Sequence, residues 1–152
     1  MLKGRDVIGL PVICLENGEN LGKVNDLFCS SNLEQVLSLQ VAARNEKDLK
    51  QYAFNAVASM GRDAVLLKTA EPSEFVPHEN CFSWQKIKGI RIFCNQGNEL
   101  GTAVDLLFDF PEGRIVGLEV SEGFIGDLLS GRHFFSNELI QTCNENCIIV
   151  GF

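Results

Sequence analysis

Two stretches of this chain nearly repeat each other: NGENLGKVNDLF at residues 17–28 and NQGNELGTAVDLL at residues 95–107. Sliding the sequence along itself by 79 residues aligns their glycines, leucines and aspartates in one register. The same shift carries QVLSLQV at 35–41 onto RIVGLEV at 114–120. Matches in one register over this length indicate an internal duplication, so the 152 residues consist of two related copies.

Each copy has the same series of short apolar segments separated by glycine turns. In LPVICL (10–15) and GIRIFC (89–94), β-branched and aromatic residues cluster and a glycine turn follows, which is typical of a strand that enters a tight reversal. In VLSLQVA (36–42) and IVGLEVS (115–121), apolar and polar residues alternate, as expected for a strand with one buried face. A series of short strands that occurs once in each copy predicts an all-β fold of two small antiparallel β-barrels in tandem with little helix.

The copies correspond to residues 1–75 and 76–152, which we predict to be the two domains. The linker is expected near AEPSEFVPHEN, residues 70–80, because two prolines and several polar residues interrupt the strand pattern there. Short helices are candidates only at residues 48–60 and around IGDLLS at 125–130. Barrels this small bury a limited share of their surface, so docking of one copy on the other, or of two chains as a homodimer, would add stability.

The repeated pattern resembles the opening of the PRC-barrel domain, once in GLPVICLENGENLGKVNDLF (9–28) and again in KGIRIFCNQGNELGTAVDLLFD (88–109). The resemblance implies a β-barrel adaptor, since the family supplies the cytoplasmic part of the photosynthetic reaction centre H subunit and the carboxy-terminal domain of a ribosome-maturation factor. Neither role is catalysis by the barrel. SEGFIGDLLSGRHFFSNELI, residues 121–140, resembles small PRC-barrel proteins of spore-forming bacteria, which implies a link to sporulation.

The charge and the apolar pattern exclude several classes of function. The formal net charge is −7, from 13 Lys and Arg against 20 Asp and Glu, so direct contact with nucleic acid is not expected. No apolar run approaches the roughly 20 residues of a transmembrane helix, and the amino end does not resemble a secretory signal. We therefore expect a cytoplasmic protein, in which thiols stay reduced.

The repeated turn has two interpretations, a phosphate-binding glycine loop or a structural hairpin. A phosphate loop would require a following helix and a Lys-Ser or Lys-Thr pair, which are missing here. The hairpin interpretation assigns positive φ to the glycines and local bracing bonds to the aspartates. The structural turn residues are then Gly18, Gly22, Asp26, Gly97, Gly101 and Asp105.

Metal binding and catalysis have weaker signals. A structural zinc needs about four ligands, usually with tight Cys-x-x-Cys spacing, whereas the nearest cysteine pair here is Cys143-x-x-x-Cys147 and the sequence has only two histidines, His78 and His133. Cys14 and Cys94 occupy equivalent strand positions, as small buried apolar residues would. No Ser-His-Asp set, Gly-x-Ser-x-Gly elbow or dinucleotide loop is present. We predict no catalytic, metal or cofactor-binding residues.

The best candidate site is GFIGDLLSGR at residues 123–132, where the copies disagree. If the loop is exposed, its apolar residues form a surface for a partner or a second subunit; if it folds back, they form a lid over the barrel end or the seam between the barrels. The exposed alternative predicts a non-enzymatic protein-interaction module, with ribosome maturation through a ribosomal protein and metal or small-ligand binding as the other hypotheses. The predicted partner contacts are Phe124, Ile125, Leu128, Leu129 and Arg132.

Overall fold

The computed structural model describes residues 1–44, 47–73, 81–122 and 132–151. In the first copy the strands are β1 Leu2–Lys3, β2 Pro11–Cys14, β3 Asn20–Ser30, β4 Val36–Ala42, β5 Leu49–Ala53, β6 Val57–Met60 and β7 Val65–Leu67. In the second copy they are β8 Cys81–Ser83, β9 Arg91–Cys94, β10 Glu99–Phe108, β11 Ile115–Glu122, β12 Arg132–Ser136, β13 Ile140–Cys143 and β14 Cys147–Val150. The short helices are α1 Gly4–Val7 and α2 Trp84–Ile87, with 3₁₀ turns at Phe54–Ala56 and Asn137–Leu139.

The strands form two curled sheets of the same topology. One has the order β5-β4-β3-β2-β7-β6 and the other has the order β12-β11-β10-β9-β14-β13. Neighbouring strands run antiparallel, except that β7 lies parallel to β2 and β14 lies parallel to β9. The predicted all-β class with two small barrels and little helix is confirmed.

Glycine shapes the start of the long strand in each copy. Gly22 has φ 129° and Gly101 has φ 145°, and each lies at a register shift of the ladder. A Cβ at Gly22 would overlap the Ala42 carbonyl oxygen, and one at Gly101 would overlap the Ser121 carbonyl oxygen. Only glycine allows this close approach of two backbones together with positive φ.

The two copies exchange their first strands. β1 pairs with β10 of the second sheet, and β8 pairs with β3 of the first sheet. The helix that follows each of these strands crosses with it, so α1 packs against β10 and α2 packs against β3. The predicted division at residue 75 therefore describes the sequence copies, whereas each folded sheet also contains a strand of the other copy.

One core runs through both copies. The buried cluster contains apolar side chains of both sheets, and the Phe54 ring meets the Phe108 ring edge-on at 6.1 Å. Backbone bonds also cross the seam, since Val36 N donates to Gly113 O at 2.8 Å and Ile115 N donates to the carbonyl oxygen of Glu34 at 2.9 Å. The two barrels therefore dock through apolar burial and backbone hydrogen bonds.

The helix predicted over residues 48–60 is wrong. These residues form β5, a 3₁₀ turn and β6, because β5 pairs with β4 and β6 pairs with β7. Apolar residues at Leu49, Tyr52 and Ala56 imitate helical spacing, and the sheet pairing outweighs this local pattern. The other helix candidate, at 125–130, lies outside the described residues. No helix in the described part of the chain is long and apolar enough to cross a membrane.

Candidate interaction surface

The two repeated aspartates hold the exchanged helices. Asp105 Oδ1 accepts a bond from Leu106 N on its own strand at 2.8 Å and from Arg5 N in α1 at 3.2 Å. Asp26 Oδ1 accepts a bond from Leu27 N at 2.8 Å and from Gln85 N in α2 at 3.1 Å, and Asp26 Oδ2 accepts one from Ser83 Oγ. Each carboxylate thus binds its own strand and the first turn of the other copy's helix, and the second bond has no signal in the sequence.

The environment of these carboxylates gives them a structural role. Burial raises the pKa of Asp26, although the hydrogen bond from Ser83 opposes the shift. Burial also raises the pKa of Asp105, opposed by the backbone bond from Leu106. Because their oxygens are occupied by backbone and hydroxyl donors, the two carboxyl groups do not form an acid and base pair for catalysis.

A group of charged side chains surrounds Asp105 on the outer face of the second sheet. Arg5 Nε lies 3.5 Å from Asp105 Oδ2, and Arg5 Nη1 lies 3.9 Å from Glu119 Oε2. Lys3 Nζ lies 2.7 Å from Glu119 Oε1. The exchanged segment therefore brings two cations to a pair of carboxylates. The corresponding positions of the first sheet carry uncharged side chains, namely Ser83, Gln85 and Gln40.

Phe134 lies on the same face, directly across from Glu119 in the β11–β12 ladder. Its ring rests on Gly117, where an added Cβ would lie 2.6 Å from Phe134 Cζ. The ring is nevertheless 46% exposed. At the corresponding place in the first sheet, Ser38 Oγ donates a hydrogen bond to Gln51 Oε1 at 3.0 Å. Sequence reasoning missed Phe134, although aligning it with Gln51 at the 83-residue shift of the late strands would have revealed the difference.

A cleft of about 600 Å³ opens in the first copy beside Gly22. Among the described residues that line it, the ionisable ones are Lys23 and Arg44, and none is a carboxylate. In the second copy the corresponding strands are joined by an ion pair in which Arg91 Nε lies 2.7 Å from Glu99 Oε1. The small-ligand hypothesis would thus concern the first copy, where the cleft is lined by cations.

The cysteines are divided between the core and half-buried positions. Cys14, Cys29 and Cys94 are buried, whereas Cys81, Cys143 and Cys147 are partly exposed. Burial raises the pKa of the Cys29 thiol, and burial with the nearby Cys147 raises the pKa of Cys143 to about 12, so both thiols stay protonated at neutral pH. Within the described ranges, no group of three or more His, Cys, Asp or Glu residues is placed to hold a metal ion.

The loop predicted as the partner surface lies outside the described residues. This applies to Phe124, Ile125, Leu128 and Leu129, whereas the backbone of Arg132 begins β12 and its side chain is not described. Arg132, the last residue of this loop, lies two residues before Phe134 in sequence. The residues of the repeated turn have the geometry of reversals, since Gly18 has φ 74° and Gly97 has φ 87°.

Comparison with known protein families finds a match within the second copy. A family model of the PRC-barrel domain matches residues 79–138, which confirms the resemblance for this copy. The matched residues include the exchanged strand β8, the strands β9 to β12 and Phe134, whereas Lys3 and Arg5 lie outside the match. The first copy lies outside the matched residues but has the same strand order.

Two known proteins are similar to the chain over most of its length. The protein YrrD of Bacillus subtilis strain 168 is 23% identical over 150 residues, which cover 96% of this chain and 86% of YrrD. A crystal structure of RimM from Pseudomonas aeruginosa, named as a 16S ribosomal RNA processing protein, covers 85% of this chain and 96% of its own, with 13% identity and a TM-score of 0.36. A TM-score this low carries no argument about function.

Proposed function

We propose that this chain is a non-enzymatic protein-interaction module, and that its partner binds the outer face of the second sheet around Phe134. The PRC-barrel match of the second copy supports a module of this type. The observation that carries the proposal is the exposed ring of Phe134, 46% accessible on a regular strand. Aromatic side chains that remain exposed on an ordered strand are typical anchors of protein interfaces.

The duplication supplies an internal reference for this position. Gln51 occupies the corresponding site of β5, and its bond with Ser38 completes the same face with polar groups. The fold therefore accepts a polar pair here, so the barrel does not require the apolar pair of Gly117 and Phe134. An exposed apolar side chain costs solubility, and a partner that covers it would offset that cost.

The charges next to the ring suit a protein partner. Lys3 and Arg5 lie on the same face, and their ion pairs with Glu119 and Asp105 bring both signs of charge close to Phe134. An aromatic centre with a polar rim is the common composition of a protein interface. The predicted contacts Phe124, Ile125, Leu128 and Leu129 precede β12 in sequence and remain predictions beside this surface.

The proposal also includes a cellular location and a biological process. The six cysteines form no disulfide within the part of the chain that the structure describes, which favours the cytoplasm, where thiols stay reduced. A link to sporulation rests on the resemblance of residues 121–140 to small PRC-barrel proteins of spore-forming bacteria. Whether the partner is a different protein or a second copy of this chain is decided by the experiment below.

The test replaces Phe134 with the residue of the first copy. Phe134→Gln should reduce capture of the partner from an extract of the native organism at least about tenfold, because interface anchors typically contribute 2 kcal/mol or more. Light scattering on the purified protein separates a homodimer from a partner of another kind. The thermal unfolding midpoint should change little, because surface substitutions usually alter stability by about 0.5 kcal/mol or less.

The matched control is Leu49→Gln on β5, since Leu49 is 47% exposed and also lies on the last strand of its sheet. This variant should capture the partner as the unchanged chain does. Equal capture and equal oligomeric state for the folded Phe134→Gln variant would contradict the proposed surface. Equal losses of partner capture in both variants would mean that any exposed apolar residue promotes capture, which would also contradict a specific surface at Phe134.

A further inference from the structure

The barrel of the first copy is closed along β5 by the chain itself. The segment Thr69–Ser73 runs beside β5, where Tyr52 Oη donates to Ala70 O at 2.9 Å. Ser73 N donates to Gln51 O at 2.9 Å, and Ala53 N donates to Ser73 Oγ at 2.8 Å. Two backbone groups on the outer edge of β5, Gln51 C=O and Ala53 N–H, are thus bonded by Ser73 of this segment.

The corresponding edge in the second copy is that of β12. Gln51 and Ala53 lie across from Gln40 and Ser38 in the first sheet. Phe134 and Ser136 lie across from Glu119 and Gly117 in the second, at the equivalent places of the ladder. In an antiparallel ladder the same place directs the backbone groups the same way, so Phe134 C=O and Ser136 N–H point away from β11.

Among the strands that the structure describes, β12 pairs only with β11. An edge of this kind presents unbonded N–H and C=O groups and accepts an added strand. Within the described ranges, no segment lies along β12 in the way that Thr69–Ser73 lies along β5. The ring of Phe134 stands beside this edge and offers apolar contact to whatever is added.

We infer that the outer edge of β12 binds an extended segment of the partner protein as an added strand, which rests on the proposed function and specifies how the partner binds. The segment donates a backbone N–H to Phe134 O and supplies a hydroxyl acceptor to Ser136 N–H. Its chemistry follows the chain's own Ala70–Ser73, in which a proline precedes the serine. An apolar side chain of the segment packs on the exposed ring.

Hydrogen exchange of the free chain tests the open edge. The amide of Ser136 should exchange at least about tenfold faster than that of Ala53, because only Ala53 N–H is bonded to a neighbouring segment. Equal protection of the two amides would overturn the inference, since the edge would then already be covered.

A peptide probe and a proline variant test strand addition directly. The probe is a capped synthetic peptide with the sequence KTAEPS of residues 68–73, titrated into the full chain while amide signals of Phe134 and Ser136 are followed by NMR. Ser136 has φ −62° and ψ 144°, which proline adopts without strain, so Ser136→Pro removes the N–H and preserves the backbone. The variant should weaken peptide binding at least about fivefold, the factor expected for one hydrogen bond.

Ala53→Pro is the matched control because Ala53 has φ −58° and its N–H bonds the chain's own segment. It should leave peptide binding at β12 unchanged. Absence of signal changes at β12, or unchanged binding by Ser136→Pro, would overturn strand addition. If Phe134→Gln loses the partner and Ser136→Pro retains it, the proposed function stands and strand addition is wrong; if both retain it, both are wrong.

Discussion

The two sheets have one topology and two different outer faces. The first sheet ends in the polar pair Ser38 and Gln51, whereas the second ends in Gly117 with the half-exposed Phe134. Backbone pairing constrains both copies alike, because strand order and register depend on the buried face. The outer face is free of that constraint, so function can diverge there after duplication.

The exchanged helices differ as well. Trp84 of α2 is 2% exposed, and it occupies the position that corresponds to Gly4 of α1. A Cβ at Gly4 would lie 3.2 Å from Trp84 Nε1 and 2.9 Å from Asp105 Oδ1. The large side chain of Trp84 therefore packs where Gly4 has no side chain. The two exchanged helices are complementary in shape and are not equivalent.

The largest expected effect comes from removing that bulk. Trp84→Ala should lower the free energy of unfolding by about 3–5 kcal/mol, the range for loss of a large buried aromatic side chain. Denaturant unfolding followed by circular dichroism measures the change without depending on tryptophan fluorescence. A loss below about 1 kcal/mol would mean that the contact between the exchanged helices contributes little.

A smaller effect is expected at the glycine where two backbones approach closely, a feature that both copies share. Gly101→Ala should destabilise the chain by about 2–4 kcal/mol, because a Cβ would overlap Ser121 O at positive φ. Gly97→Ala is the control, since it has positive φ and no atom within 4 Å of the added carbon, and it should cost only about 1 kcal/mol. Equal losses for the two variants, measured by thermal and denaturant unfolding, would refute the steric explanation.

The smallest effect is a pH dependence that the repeated aspartates share. Burial raises the pKa of Asp26 and Asp105 above the ordinary value of 3.8, so the folded chain holds these protons more tightly than the unfolded chain. Their contribution to the free energy of unfolding is therefore greatest at acidic pH and falls as pH rises from about 4 through the folded pKa values.

Asn cannot ionise, so Asp26→Asn and Asp105→Asn should each lose this pH dependence. The stability of the unchanged chain relative to either variant should decrease as pH rises. At neutral pH, Asp105→Asn should cost about 0.5–1 kcal/mol more than Asp26→Asn, because it also removes an ion-pair partner of Arg5. Unfolding measured from pH 4 to 7 checks both points, and an opposite slope would disprove the direction of the pKa shifts.

Parts of the fold could be predicted because they depend on local pattern. Alternation in VLSLQVA and IVGLEVS predicted β4 and β11, and the glycine turns predicted where β3 and β10 begin. The segment at 48–60 was wrongly predicted as a helix because its apolar spacing fits both periods and only the pairing with β4 decides between them. Phe134 was missed because a half-exposed aromatic residue on a strand resembles a core residue in sequence.

The sequence by itself determined the duplication, the all-β class, the succession of strands along each copy and the resemblance to the PRC-barrel domain. Only the tertiary structure decided that β1 joins the second sheet and β8 joins the first, that Asp26 and Asp105 bind the other copy's helices, and that the ring of Phe134 stays exposed on Gly117. The reason is physical. A strand's alternation and a turn's φ are properties of a few neighbouring residues, whereas the choice between two nearly identical sheets depends on contacts such as Arg5–Asp105 and Gln85–Asp26, which are 100 and 59 residues apart in the chain.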